Sequence, residues 1–297
     1  MKELSKNLPG IELIFNADMS GYTTYKTGGI AEVLALPANA ARLAQIISFA
    51  KANKTAWRVM GLGSNILVSD SGIAGITCCL KNMRGLQVEG NKITAQAGEP
   101  LDNIVAAAVA AGLEGIEGLS GIPGSCGGAV FMNAGAFNQE TFDNIFSFTV
   151  LEQSGNIKTL KKSDVRPGYR HVGGIENCII LGAAWALKPA ADIAALKARR
   201  AEVLAKRMEK QPLDYPSAGS VFKRPQNNFA SALIDQCGLK GLRAGGAMVS
   251  PKHAGFIVNY DKASAADIKK LMDEVRAQVA AKTGVKLELE QILWGDF

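Results

Sequence analysis

The spacing of apolar and polar residues changes period along the chain, and the changes mark elements. Between Arg42 and Asn53, the residues Leu43, Ile46, Ile47 and Ala50 recur at helical spacing, which predicts a helix. Leu101–Ala111 repeats that period, with Asp102 in its first turn to complement the dipole. Shorter apolar runs predict strands at Ala31–Leu36, Trp57–Met60, Ile66–Val68, Ile73–Leu80, Ile93–Ala97 and Cys178–Leu187. Phe146–Glu152 and Ile157–Leu160 flank Gln153-Ser154-Gly155-Asn156, which predicts a hairpin.

The pattern shifts after residue 189. Ala190–Gln211 is Ala-rich and charged, with helical spacing, and Pro212 and Pro216 stop it. It is the best candidate domain junction. Beyond it, Phe229–Cys237 predicts a short helix closed by Gly238. Ala247–Val249 and Gly255–Val258 predict strands. Ser264 caps a helix through Lys282, ended by Gly284. Lys286–Trp294 predicts a final strand. The order mixes helices and strands throughout, so the class is α+β or α/β, without an internal repeat.

Composition narrows the classes. A length of 297 residues suits about two domains. Apolar residues make up 47% and charged residues 20%, a globular balance with a net charge of +6. The longest apolar run, Ile104–Ala111, is far short of the ~18 residues of a membrane span, and Met1–Leu13 has no apolar core of a secretion signal. The five cysteines (Cys78, Cys79, Cys126, Cys178, Cys237) form no CxxC pair and have only His171 and His253 to join them. That disfavours a metal site and points to a reducing cytoplasm. No basic stripe or aromatic platform points to nucleic acid. Glycine is the exception: 32 residues, about 11% against a usual ~7%. Eight of them lie between Gly112 and Gly135, six at a strict spacing of three up to Gly127. That spacing is the collagen sign, but it is neither sustained nor rich in proline.

Five segments carry candidate chemistry. Gly61-Leu62-Gly63-Ser64-Asn65 follows a strand but lacks the third glycine and the helix of a dinucleotide fingerprint. It is either a nest of N–H groups around phosphate or an ordinary turn. Gly121-Ile122-Pro123-Gly124-Ser125-Cys126-Gly127-Gly128-Ala129 is a second glycine loop, continued by Asn133-Ala134-Gly135. Two such loops suit a long ligand with two phosphates and flat rings, or tight packing on a sheet. Ser217–Pro225 places Ser220 beside Lys223 and Arg224 but is not a GxSxG elbow, so Ser220 is a candidate proton donor and the cations candidate anion ligands. Tyr169-Arg170 offers a guanidinium for a carboxylate. Glu288 and Glu290 share a face by alternation.

Together these segments resemble the UDP-N-acetylenolpyruvoylglucosamine reductase (MurB) family. The match runs in order through Thr24–Gly29, Gly61–Val68, Gly115–Ala136, Tyr169-Arg170, Ser217–Pro225, Leu233–Gly241, Val249–Asn259 and Leu287–Gly295. The resemblance implies an α+β protein: a two-part FAD-binding fold of the vanillyl-alcohol-oxidase/CO-dehydrogenase (PCMH) type plus a C-terminal α+β substrate-binding domain. It implies a first flavin-binding part at 1–85 with a returning strand at 286–297, and a second part at 86–190. A linking helix at 191–211 and a UDP-sugar domain at 212–285 follow. It implies NADPH-dependent reduction of UDP-N-acetyl-enolpyruvoylglucosamine through FAD, in peptidoglycan precursor synthesis, by a cytoplasmic monomer. Arg170, Ser220 and Glu290 would be catalytic, Ser220 as the acid. Glu290 would share a proton with the substrate carboxylate or be bridged to it by Arg170. FAD would be held by Gly61, Leu62, Gly63, Ser64, Asn65, Ile66, Gly121, Ile122, Pro123, Gly124, Ser125, Gly127, Gly128, Ala129 and Asn133. Lys223, Arg224 and Tyr169 would hold substrate. Arg224 stands where the family commonly has Asn. Cys178–Leu187 runs straight towards the long helix, leaving no room for a tyrosine-bearing insertion, so the short subclass is implied. The alternatives are a non-catalytic flavin-binding module or an FAD-linked oxidase of the same fold.

Overall fold

The computed structural model describes residues 2–297. The chain divides into two units. The first comprises residues 2–15, Val33–Leu62 and Ile76–Arg207, and the second Asn16–Glu32, Gly63–Gly75 and Met208–Phe297. The chain passes between them within the strands Glu12–Asp18, Ile30–Leu36 and Ile73–Cys79, in the loop after Gly61, and near the end of the helix Ile193–Lys210.

The first unit is built on a five-stranded antiparallel sheet. Its order is Ile157–Leu160, Ile145–Glu152, Cys178–Ala186, Lys92–Gln96, Leu86–Glu89. The expected hairpin is its first pair, with Leu151 opposite Ile157. Helix Leu101–Ala110 turns Leu101, Ile104, Val105, Ala108 and Val109 inward at helical spacing. They pack with Ile93, Phe148, Val150 and Trp185 in one core. Phe142 and Phe148 meet edge to face at 5.5 Å, and the Trp185 indole N–H donates to Thr141 O (3.1 Å). A smaller core lies under helix Ala40–Ala52, capped by Asn39, whose Oδ1 accepts from Arg42 N (3.0 Å). Near it Trp57–Met60 runs parallel to Ile76–Cys79.

The second unit has a three-stranded antiparallel sheet, Arg243–Ala244, Ala247–Val249, Ile257–Asn259. Helix Ala265–Thr283 presents Ile268, Leu271, Met272, Val275 and Val279 to the core it shares with helix Ala230–Gln236. Its ends follow the expectation. Ser264 and Asp267 form a capping box, and Gly284 closes it at φ +74°. Ile66–Val68 pairs in parallel with Ile292–Trp294.

Three expectations change. The Gly121–Ala129 segment is not wholly a loop: Cys126–Phe131 is a helix, with Ser125 as N-cap accepting from Gly128 N (3.3 Å). The final strand is only Ile292–Trp294, because residues 286–291 meet a strand partner only at the Leu289–Phe222 bridge. Helix Lys2–Asn7 and strand Glu12–Asp18 precede the first expected element. Among the described residues, no helix is long and apolar enough to cross a membrane.

Candidate active site

In the first unit the two glycine loops meet at one point. A Cβ on Gly61 would collide with Ser125 Oγ and lie 3.3 Å from Ser125 Cβ, so only glycine fits there. The Gly61 carbonyl accepts from Cys79 Sγ (3.4 Å). Leu101 N holds Gly124 O (2.9 Å), and Glu99 O and Ala97 O hold the N–H groups of Cys126 and Gly127. Among the described residues, the N–H groups of Gly61, Leu62, Gly124 and Ser125 donate to no backbone carbonyl. Gly127 has a different reason to be glycine: its Cβ would lie 3.0 Å from Ala97 Cβ, so it packs the short helix against the turn that follows strand Lys92–Gln96. The Cys126 thiol is buried, which pushes its pKa up to about 12, and it is a filler rather than a nucleophile.

Gly121 adopts φ +70° and is held from both sides. Its N–H donates to Asp102 Oδ1 (2.8 Å), and Arg200 Nη2 reaches both Asp102 oxygens (2.8 Å). The next carbonyl back, Ser120 O, accepts from Arg207 Nε (2.6 Å). Arg207 is buried, lies 5.2 Å from the Phe137 ring centroid, and is pushed down to about 10 by that burial. Arg199 pairs with Glu114 and with Glu117 (3.2 Å). Helix Ile193–Lys210 therefore fastens the start of the glycine loop through Arg207 and, by way of Asp102, Arg200, while Arg199 holds the segment before it. Ile122 N donates to Leu119 O (3.2 Å), Pro123 is exposed and Ala129 is buried in the short helix.

Arg170 sits in the turn between strands Arg166–Gly168 and His171–Gly173. Its φ is +54°, a strained conformation for a non-glycine residue and one that functional turns retain. Arg170 Nη2 donates to Gly135 O (2.9 Å) and its guanidinium lies 4.8 Å from the Tyr169 ring. Asn133 is buried at φ +41° and spends its carboxamide on the protein. Nδ2 donates to Glu140 Oε2 (2.7 Å) and Gly168 O (3.1 Å), and Oδ1 accepts from Phe142 N (3.1 Å). Its side chain thus supports the Arg170 turn.

In the second unit Gly63 takes φ +68°, and its carbonyl accepts from Thr24 N (3.2 Å). Ser64 leads to Asn65, whose Nδ2 donates to Glu290 O (3.1 Å), while Ile292 N donates to Asn65 O (2.9 Å). Ile66 is buried opposite Ile292. Glu290 N donates to Val221 O (2.9 Å) and Lys223 N to Glu288 O (2.8 Å), so Ser220 and Glu290 stand on neighbouring extended segments. Gly219 at φ +75° makes the turn before Ser220. Lys223 Nζ is 3.6 Å from Glu288 Oε2, and exposed Arg224 stacks at 4.7 Å on Phe229.

The structure thus joins Gly61 to Ser125, Arg170 to Tyr169 and Asn133, and Ser220 to Glu290. Arg170 belongs to the first unit, Ser220 and Glu290 to the second. Reading the residues in sequence missed Arg200, Arg207 and Gln291 altogether and took Asp102 only as a dipole partner.

Comparison with known proteins gives the following. Residues 211–294 match the profile of the UDP-N-acetylenolpyruvoylglucosamine reductase C-terminal domain, and residues 31–161 that of an FAD binding domain. The UDP-N-acetylenolpyruvoylglucosamine reductase of Levilactobacillus brevis is 41% identical over 298 residues, covering 100% of this chain and 97% of the relative. That of Streptococcus thermophilus is 42% identical over 297 residues, with 100% and 97% covered. The crystal structure of the UDP-N-acetylenolpyruvylglucosamine reductase of Thermus caldophilus matches with a TM-score of 0.82 at 34% identity, covering 96% of this chain and 99% of that one.

Proposed function

The chain belongs to the UDP-N-acetylenolpyruvoylglucosamine reductase family, and on that premise we propose that Arg170, Ser220 and Glu290 carry its chemistry. The protein is an FAD-dependent oxidoreductase that uses NADPH to reduce UDP-N-acetylenolpyruvoylglucosamine to UDP-N-acetylmuramate for peptidoglycan synthesis. Its fold is the two-part FAD-binding fold of PCMH type with a C-terminal α+β domain.

The donor set of the glycine loops fits FAD. The uncommitted N–H groups of Gly61, Leu62, Gly124 and Ser125 are what a pyrophosphate accepts from. The missing Cβ at Gly61 brings the two backbones close. Gly63, Ser64, Asn65 and Ile66, and Gly121, Ile122, Pro123, Gly127, Gly128, Ala129 and Asn133, would complete or support that cradle. When bound, FAD would supply the two-electron chemistry that links NADPH oxidation to hydride delivery at the terminal vinyl carbon of the substrate.

The protein's side chains handle the charge and the proton. Arg170, preset by Gly135 O and the Tyr169 ring, would hold the substrate carboxylate and stabilise the negative charge growing beside it. Glu290 would orient the substrate carboxylate. Ser220 Oγ would give its proton to the carbon next to the carboxylate and recover one from solvent. The vinyl group thus gains one hydride and one proton, and NADPH is the only reductant consumed. Tyr169, Lys223 and Arg224 would hold the sugar nucleotide, whose diphosphate calls for cations. The segments 1–85 and 86–190 would bind flavin, 191–211 would link, and 212–285 would bind UDP-sugar. Only residues 187–192 separate strand Cys178–Ala186 from the long helix, which supports the short subclass. A cytoplasmic monomer acting on small molecules alone fits the free cysteines and the lack of a basic stripe.

The observation that carries the assignment is the Glu290 N–H bond to Val221 O, which seats a carboxyl and a hydroxyl on adjacent segments. The test is Ser220→Ala. Bleaching of the flavin by NADPH should stay within about twofold, while oxidation by the enolpyruvyl substrate falls about 10²–10⁴-fold, the usual contribution of a positioned acid. Surviving turnover would remove Ser220 from the mechanism.

A further inference from the structure

Behind Ser220 and Glu290 runs a buried polar chain that the chemistry above does not use. Tyr25 is fully buried, and its hydroxyl donates to Gln291 Oε1 (2.9 Å). Gln291 is 4% exposed, and its Nε2 donates to two successive carbonyls, Ala218 O (3.0 Å) and Gly219 O (3.2 Å). Carbonyls only accept, so the amide nitrogen faces them and the amide oxygen faces Tyr25. Asn259 anchors the far end, donating from Nδ2 to Tyr25 O (2.9 Å) and accepting at Oδ1 from Ala263 N (2.7 Å).

The position of this amide is specific. Gln291 follows Glu290, and Ala218 and Gly219 precede Ser220. One side chain therefore ties the residue after one reacting group to the two residues before the other. Gly219, at φ +75°, is the most permissive link in that turn, and its direction has to be set from outside. The Glu290 peptide is already fixed by Val221 O and by Asn65 Nδ2 (3.1 Å). An apolar residue of similar size would fill the same space but would leave a buried hydroxyl and two carbonyls without this partner.

We propose that Gln291 is a positioning residue for the reaction: anchored by Tyr25, it sets the spacing between the Ser220 hydroxyl and the Glu290 carboxyl. The proposal rests on the roles given to those two residues above. Misplacement of a reacting group by about 1 Å slows a reaction about 10²-fold, so a clamp of this kind acts on rate.

The test uses FAD-loaded Gln291→Leu, Tyr25→Phe and the double variant, with Ser220→Ala alongside. Rapid mixing reads the two half-reactions separately, and D2O reads the proton. FAD content and bleaching by NADPH should stay near wild type. Oxidation by the enolpyruvyl substrate should slow about tenfold or more in Gln291→Leu and less in Tyr25→Phe, short of full misplacement. Its solvent isotope effect should rise in both. The double variant should match Gln291→Leu, because Tyr25 acts through Gln291. Tyr25→Phe keeps the ring and its packing, so it carries the test if Gln291→Leu does not fold. Wild-type oxidation in both single variants, with Ser220→Ala inactive, overturns the positioning role alone. Equal loss of both half-reactions, with an unchanged isotope effect, also overturns it. Turnover surviving in Ser220→Ala overturns the underlying assignment as well.

Discussion

Gly61→Ala tests the point where the glycine loops touch. The added methyl group would sit 3.3 Å from Ser125 Cβ and inside the contact radius of Ser125 Oγ. Two responses are open. Ser125 can rotate, giving up its cap on Gly128 N, which costs about 1 kcal/mol. Because Ser125 is 2% exposed, a rotated hydroxyl also risks losing its partner, a further ~1–3 kcal/mol. Otherwise the loops part, and overpacking of this kind costs about 1–3 kcal/mol. Parting the loops re-spaces the N–H groups offered to the pyrophosphate, and about 1.4 kcal/mol is already tenfold in affinity. The expected result is an FAD Kd at least about tenfold weaker, read by quenching of flavin fluorescence, and a Tm lower by a few degrees. Ser125→Gly removes the clashing hydroxyl, and as a cap Gly costs only a few tenths of a kcal/mol. The double variant should therefore bind FAD more tightly than Gly61→Ala alone. Gly61→Ala with unchanged Kd and Tm, or a double variant that simply sums the two losses, would refute the steric argument.

Asp102→Ala removes the acceptor of both Gly121 N–H and Arg200, so melting should fall by about 1–3 kcal/mol of stability and FAD affinity should weaken; Asp102→Asn, which keeps an acceptor for Gly121, should be milder in both assays. Burial alone would raise the Glu117 carboxyl, but the Gly115 N–H and the Arg199 guanidinium outweigh it and hold Glu117 below its ordinary 4.5. That stability is present above the unfolded value and lost as pH falls through the lower folded one. Urea unfolding from about pH 5 to pH 3 should show a steeper loss in the wild type than in Glu117→Gln.

Much of the framework was legible because local signals agreed. Ser264, Asp267 and Gly284 bracket their helix as the capping rules require, and Pro212 ends the long arginine-bearing helix. The Cys126–Phe131 helix was hidden by its glycines, which are poor helix formers, although Ser125 ahead of Cys126 was a capping signal. Residues 286–291 have the alternation of a strand but face a partner at only one position, which a period of two cannot reveal. Of the site, the loops and the reacting side chains were readable as motifs. Their supports were not. Asp102 and Arg200 are 98 positions apart and Tyr25 and Gln291 are 266 apart, and only the folded chain makes them neighbours.

The parallel pairing of Ile66–Val68 with Ile292–Trp294 has a consequence for how the protein is made. Asn65 finds Glu290 across 225 positions of chain. A ribosome adding about 5–20 residues per second needs roughly 11–45 s to cover that distance. Throughout that interval Ile66, Leu67 and Val68, all buried in the finished protein, lack the strand that completes them. The nascent chain therefore carries an open apolar edge until Ile292–Trp294 has been made and can pair with it. Holding chaperones would have their longest window on this segment, and truncation of the final turn-and-strand would leave residues made early, and far away in sequence, without their cover.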